Sequence, residues 1–363
     1  MNIIAYYLPQ YHPTKSNDMW WGKGFTEWTN VAKAKKLYPG HYQPKIPADL
    51  GFYDLRLPEV REQQATLAKE SGISAFCYYH YWFSHDHQEL DMPFREVVKS
   101  GTPDFPFCLC WANESWYSKF WNKDGSVKKT ILAEQKYLGV EDNRLHFYSL
   151  LTAFKDKRYF KISGHPLFVI YKPLEFQNFA EFKQQWNELA QENGLPTFFF
   201  VGHTIHKEEI NTILANGFDA VNHCFRMDSL YMYDKLPYFL KRIREYIKGK
   251  LSIPYVISYA KAIKKCVQKE DYDEKVFPTM MPNWDHTPRS NSGGTVLHNA
   301  TPELFYQHAK DIINVANSKS CSQKIVFLKS WNEWGEGNYM EPDLKYGKGF
   351  INSLNQAIKD GLK

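Results

Sequence analysis

The feature that most constrains this chain is a rhythm. Eight short runs of apolar, β-branched or aromatic residues alternate with eight amphipathic stretches along its length. The runs cover residues 3–8, 74–81, 106–112, 167–172, 197–203, 218–223, 277–283 and 325–331. Helical periodicity marks 58–71, 90–100, 141–157, 178–193, 207–216, 235–248, 302–318 and 346–361. Short buried runs separated by amphipathic helices are the pattern of βαβ units around a parallel sheet. Two helical stretches run into Gly72 and Gly194, the residue type that helix C-termini prefer. Eight strand–helix pairs predict an α/β fold of the (β/α)8 TIM-barrel type, a single domain over residues 1–363. An open dinucleotide-binding sheet has little support, because no Gly-x-Gly-x-x-Gly follows the first run. A length of 363 residues suits one barrel with insertions. Two connections are long, 9–56 and 113–140, and the second carries Trp116 and Trp121. Both are expected as βα loops over the barrel mouth. No repeat, low-complexity tract or linker divides the chain.

Charge narrows the partners. The net charge is +5, and the densest basic stretch is Lys241-Arg242-Ile243-Arg244 with Lys248 and Lys250. Helical spacing makes this a solvated face rather than a nucleic-acid patch, which would need a wider field. No apolar run reaches membrane-spanning length, and Met1-Asn2 leads straight into the first strand. The expected location is therefore the cytoplasm, and the six cysteines (77, 108, 110, 224, 266 and 321) are expected to be free. Cys108 and Cys110 share one face of a strand without a Cys-x-x-Cys partner, so no zinc site is expected. No cofactor is expected either, and partner proteins are left open. Aromatic residues make up 17% of the chain. So many rings fit either a thick aromatic core or a cleft that stacks sugars.

In such a barrel, chemistry gathers at the C-terminal strand ends. Those ends carry Tyr6 and Tyr7; then His80, Tyr81 and Trp82; then Trp111, Asn113, Glu114 and Trp116. Tyr171 and Lys172, His203, and His223 end the next three. Trp284, Asp285 and Arg289 follow the seventh, and Trp331-Asn332-Glu333-Trp334-Gly335-Glu336-Gly337 the eighth. In the first long loop Trp20, Trp21, Phe25, Thr26, Glu27, Trp28 and Asn30 interleave rings with hydrogen-bonding groups, the mixture that sugar recognition needs. A loop that merely staples the barrel mouth would read the same way.

Glu333 and Glu336 are the chief catalytic candidates. Glycines at 335 and 337 free the backbone so that both carboxylates can face one pocket. Neighbouring carboxylates repel, which raises the pKa of one and yields the acid and base that glycosidic cleavage uses. The plain alternative is a solvated loop charge or helix cap at Glu336. Glu114 competes: an Asn-Glu pair at a strand end is how many retaining glycosidases present an acid/base, with Glu333 then the nucleophile. Glu114 binding sugar hydroxyls without chemistry is the simpler account. His80, His203 and His223 lack ligand spacing, so hydroxyl binding or core hydrogen bonding is expected of them rather than metal ligation. No Gly-x-Ser-x-Gly supports a serine nucleophile.

Several segments together resemble a known family. They are Tyr6-Tyr-Leu-Pro-Gln-Tyr-His-Pro13, Gly24-Phe-Thr-Glu-Trp-Thr-Asn-Val31, Trp111-Ala-Asn-Glu-Ser-Trp116, Asn283-Trp-Asp285 and Trp331-Asn-Glu-Trp-Gly-Glu-Gly337. These resemble the WbsX-type proteins, labelled glycosyltransferases of surface-polysaccharide loci and related to the family 99 endo-α-mannosidases. The resemblance spans nearly the whole chain. It implies a (β/α)8 barrel and a metal-free retaining mechanism. In that mechanism Glu333 deprotonates a sugar 2-hydroxyl, which attacks the anomeric carbon to form a 1,2-anhydro sugar. Glu336 protonates the leaving oxygen and then activates water. Tyr6 or Tyr7, with Tyr171, would border the reacting sugar. Two features separate this chain from the mannosidases: Gly335 stands where they tend to carry His, and the Trp-Ala-Asn-Glu-Ser-Trp motif belongs to the WbsX-like branch.

The leading expectation is a retaining glycoside hydrolase or transglycosylase acting on bacterial surface oligo- or polysaccharide. A glycosyltransferase with an activated donor is the second, although neither Asp-x-Asp nor a nucleotide-binding Gly-rich turn occurs. A catalytically silent carbohydrate-binding barrel is the third.

Overall fold

The computed structural model describes residues 1–121, 127–225 and 237–362. Eight parallel strands close on themselves: β1 (Asn2–Tyr7), β2 (Ala75–Ser84), β3 (Phe107–Trp111), β4 (His165–Ile170), β5 (Phe199–Thr204), β6 (Ala220–His223), β7 (Val276–Met280) and β8 (Ile325–Leu328). Strand β1 pairs with β2 through Tyr6↔Cys77 and with β8 through Ile4↔Phe327, which completes the ring. The surrounding helices are α1 (Pro58–Ser71), α2 (Met92–Ser100), α3 (Val140–Phe154), α4 (Phe179–Glu192), α5 (Ile210–Ala215), α6 (Tyr238–Leu251), α7 (Pro302–Ser318) and α8 (Gly349–Gly361). This is the expected (β/α)8 barrel, and every expected strand and helix overlaps an observed one.

Local chemistry explains the boundaries. Pro58 opens α1, where its missing N–H is no loss, and Gly72 ends it in the left-handed region at φ 88°. A side chain there would also strike Ile358 of α8, at 2.5 Å from a Cβ. The two long connections are more structured than expected. Residues 9–56 contain short helices at Lys15–Trp21 and Glu27–Lys33, and the other contains strands Trp116–Trp121 and Val127–Ala133. A helix at Tyr259–Cys266, flanked by the parallel pair Tyr255–Ser258 and Thr295–His298, also lay outside the expected pattern.

Each strand buries both faces, and period-two alternation sorts its residues. Tyr6, Tyr79, Tyr171, His203, Asn222, Thr279 and Phe327 meet inside the barrel, as their mutual ring and hydrogen-bond contacts show. Tyr7, Phe76, Tyr78, His80, Trp82 and Trp111 face the helices. The cysteines are free, five of them buried. Among the described residues, no helix is long and apolar enough to cross a membrane. Within the basic stretch Arg242 and Lys250 are exposed, whereas the side chains of Lys241, Arg244 and Lys248, like that of Trp121, lie outside the described residues.

Candidate active site

A cleft of about 510 Å³ opens at the C-terminal mouth of the barrel. Its walls carry Trp21, Glu27, Tyr79, Tyr81, Glu114, Trp116, Tyr171, Arg289, Lys329, Glu333 and Glu336. A neighbouring lobe of about 310 Å³, lined by Trp284, His286, Met281 and Cys224, shares Tyr171, Lys329 and Glu336 with it. Sugar-sized clefts of this kind combine rings with a few convergent polar groups. Here Trp116 packs edge-on against Tyr81, with ring centres 4.9 Å apart, and Trp21 stands 47% exposed at the rim.

The segment after β8 builds the floor. Glu333 is buried, its N–H donates to Ser330 Oγ at 3.1 Å, and among the described residues its Oε2 has no hydrogen-bond partner. Burial, then the charge of Glu336, raise the Glu333 carboxyl to about 7, against the opposing pull of Lys329 and Arg289. Glu336 behaves oppositely. Burial acts to raise its pKa, but Arg289, His286 and Lys329 together hold it below the ordinary value. Arg289 Nη1 donates to Glu336 Oε1 at 2.5 Å, and His286 Nε2 lies 3.7 Å from the same oxygen. Two carboxylates three residues apart thus meet in one cleft with their pKa values driven apart.

Arg289 serves a second anion. Its Nε and Nη2 donate to Glu27 Oε2 at 3.0 and 2.9 Å, and Asn30 Nδ2 donates to Glu27 Oε1 at 3.2 Å. Glu27 comes from the first long connection, so the Glu27–Arg289–Glu336 chain ties that loop to β7 and β8. It also explains a glycine. A Cβ at residue 335 would sit 1.8 Å from Glu27 Oε2 and 3.1 Å from Arg289 Nε. Gly335 is therefore set by the close approach of Glu27 rather than by a special backbone angle. Gly337 does adopt the left-handed region, at φ 54°, and Lys45 Nζ donates to its carbonyl at 3.0 Å.

Of the expected contacts, the cleft walls include Trp21, Glu27, Tyr81, Glu114, Trp116, Tyr171, Trp284, Arg289, Glu333 and Glu336. Lys172 stands at the rim with Nζ 3.9 Å from Glu114, whose half-exposed carboxyl is raised by partial burial against the pull of that lysine. The remaining expected contacts are not among the cleft walls. Tyr6 lies below the floor and donates to Asn222 Oδ1, which His203 Nδ1 also reaches while its ring stacks on Tyr171. Tyr7 points outward to Gln64 of α1. His80, Trp82 and Trp111 surround His146 of α3, with Trp82 stacked on it at 4.5 Å. Asn113 clamps the ends of β3 and β4 through the Lys172 backbone, and Asn332 clamps β1 through Leu8. Asp285 is consumed by His41 and Gln43 in a separate small cavity. Trp28, Trp331 and Trp334 are packing residues: Trp28 donates to the Tyr53 carbonyl, Trp331 packs on Phe76, and Trp334 stacks on Tyr339. The three histidines considered as ligands have separate partners, His146, Asn222 and Asp271. Among the described residues no group of three or more His, Cys, Asp or Glu is placed to hold a metal ion.

Lys329 escaped the sequence reading. The signal was available: it lies two residues beyond Phe327, hence on the same inward face, and is a lone charge in an apolar run.

Comparison with known proteins agrees with this architecture. The family described as glycosyltransferase WbsX matches residues 3–354. Proteins described as uncharacterized protein WxcX, from two strains of Xanthomonas campestris pv. campestris, are each 31% identical over 362 residues. The alignment covers 98% of this chain and 49% of theirs, so the chain spans about half the length of the curated relatives it matches. Among solved structures, a glycoside hydrolase-like protein aligns over 98% of this chain and 93% of its own, with TM-score 0.57 and 14% identity. The GH99 endo-α-mannosidase from Bacteroides thetaiotaomicron aligns over 99% and 97%, with TM-score 0.56 and 14% identity. At that identity the two structures speak for the fold. The sequence match decides the family: this chain belongs to the glycosyltransferase WbsX family.

Proposed function

We propose that residues 1–363 act as one catalytic barrel that cleaves or transfers glycosidic bonds of bacterial surface polysaccharide, with Glu333 and Glu336 as the reacting carboxylates. The observation that carries this reading is the divergence of the two carboxyl groups within one ring-lined cleft. One proton and one negative charge shared between two facing carboxylates are the starting state of retaining glycosidic chemistry.

A carboxylate titrating at about 7 suits a base that works at neutral pH. Glu333 would take the proton of the sugar 2-hydroxyl as that oxygen attacks the anomeric carbon, forming a 1,2-anhydro sugar. Glu336 would give a proton to the departing glycosidic oxygen. In the second step Glu336 takes a proton from the incoming water or sugar hydroxyl, whose oxygen opens the anhydro ring, and Glu333 returns its proton to the 2-oxygen. In the unliganded chain the proton rests on Glu333, so substrate entry has to move it to Glu336. For that, Arg289 would have to loosen its hold on Glu336 Oε1, which helps to keep this carboxyl below its ordinary value. Water as acceptor gives hydrolysis and a sugar hydroxyl gives transfer; the family description favours transfer as the second reading.

The test is turnover on oligosaccharides released from bacterial surface polysaccharide, with product anomers followed by NMR. Glu336→Gln and Glu333→Gln should each lower turnover by about 10³-fold or more while binding persists. Normal turnover by either variant removes that residue from the chemistry. Transfer from a nucleotide sugar would favour the activated-donor reading, and ligand binding without turnover of any substrate would leave a carbohydrate-binding barrel.

A further inference from the structure

Lys329 sits where the two lobes of the cleft meet and lines both. It is 7% exposed. Its Nζ lies 5.6 Å from the centre of the Tyr171 ring and 5.7 Å from that of Trp284. Among the described residues this ammonium has neither a hydrogen bond nor an ion pair. Burial alone would discharge it, yet Tyr171, Glu333, Cys224 and Glu336 outweigh burial and keep it protonated. A buried cation is costly without a hydrogen-bonded anion, and flanking rings compensate only in part. Nothing about packing explains a lysine here, since the run before it is Ile325-Val-Phe-Leu328.

Among the described residues the other cations near the cleft are already engaged. Arg289 is divided between Glu27 and Glu336, and Lys172 faces Glu114 at the rim. Among the described residues the cleft therefore offers one uncommitted positive charge, beside the ionised Glu336. That charge matches a single carboxylate. A diphosphate would bring several negative charges against Glu336 with only one counter-charge to meet them.

Resting on the reading of this cleft as a site of glycosidic chemistry, we propose that Lys329 selects an acidic sugar, its ammonium pairing with the carboxylate of a hexuronic acid unit lying across the junction of the two lobes. Tyr171 and Trp284 would flank that unit.

The test is isothermal titration of the purified chain with matched methyl glycosides: mannuronide against mannoside, glucuronide against glucoside, galacturonide against galactoside. At least one hexuronide should bind about 10-fold more tightly than its neutral partner, the effect of one charge-assisted hydrogen bond. Lys329→Met should erase that preference and leave neutral-sugar affinity within about 3-fold, whereas Lys329→Arg should retain part of it. Circular dichroism accompanies each variant, and Lys329→Gln replaces Lys329→Met if the latter does not fold. No preference in the wild-type chain, or a preference that survives loss of the ammonium, overturns the proposal. So does inorganic diphosphate binding the wild-type chain more tightly than every hexuronide. Because the assay reads binding, these outcomes are independent of whether Glu336→Gln abolishes turnover.

Discussion

The mouth of this barrel has two sides that use similar residues in opposite ways. On β2 and β3, His80, Trp82 and Trp111 turn outward and pack ring against ring on His146 of α3 and Phe182 of α4. Burial lowers His80 to about 3 and holds His146 well below its ordinary value, so both stay neutral. Beyond β7 and β8, Arg289, Lys329 and Glu336 turn inward and keep their charges in a cleft beside Glu333. A polar residue at a strand end is therefore uninformative until its face is known. A shift of one residue exchanges core for cleft.

Three substitutions can break or sharpen this contrast. The largest effect is expected from Arg289→Met, which leaves Glu27 and Glu336 without their shared cation. Removing one member of a buried charge network costs about 3–5 kcal/mol, read by urea unfolding. A loss below about 1 kcal/mol would mean that the charged side is as loosely coupled as an exposed surface.

Glu333→Gln comes next and depends on pH. The folded-state pKa is raised from 4.5 to about 7, so stability is present below 4.5 and lost as pH rises through 7. The wild-type chain should lose up to about 3 kcal/mol to this group over that window, and the variant should not. Thermal unfolding should show Glu333→Gln more stable than wild type at pH 8 and equal to it at about pH 4. Glu341, also raised to about 7 by burial, should keep a similar slope in both proteins. Equal stabilities at pH 8 would sink the assignment of the proton to Glu333.

The smallest effect belongs to the outward side. Trp82→Phe removes the Nε1–H donated to Asp142 Oδ2 at 3.2 Å, while Asp142 keeps the His85 backbone N–H. It should cost about 1 kcal/mol and leave sugar turnover within about 2-fold. A turnover loss beyond 10-fold would show that the packed side reaches the chemistry.

Much of the fold was legible because its signal is repeated eight times. The β8 run expected over 325–331 ends as a strand at Leu328, and the β1 run over 3–8 is found at Asn2–Tyr7. Such shifts leave topology intact. The site was less legible, because the outward swing of His80 and Trp111 depends on which face their strands bury, and period-two alternation within fully buried strands leaves no polarity contrast to read. Asn332 looked like a sugar ligand because it adjoins Glu333; its amide is instead spent on both backbone groups of Leu8. Clamps and ligands have the same chemistry, and only the partner distinguishes them. Lys329 was missed for the opposite reason, since it stands inside the run expected over 325–331 rather than at its end.

The space above Gly335 has a consequence for heredity. Glu27 occupies the volume that any side chain at 335 would need, and Arg289 holds Glu27 there. These positions run from residue 27 to residue 335, yet they form one steric unit. A lineage that acquires a side chain at 335 must retract the residue at 27 in the same step, and Arg289 then loses an anion. Grafting the first loop of one relative onto the barrel of another should therefore succeed only when positions 27, 289 and 335 travel as a set.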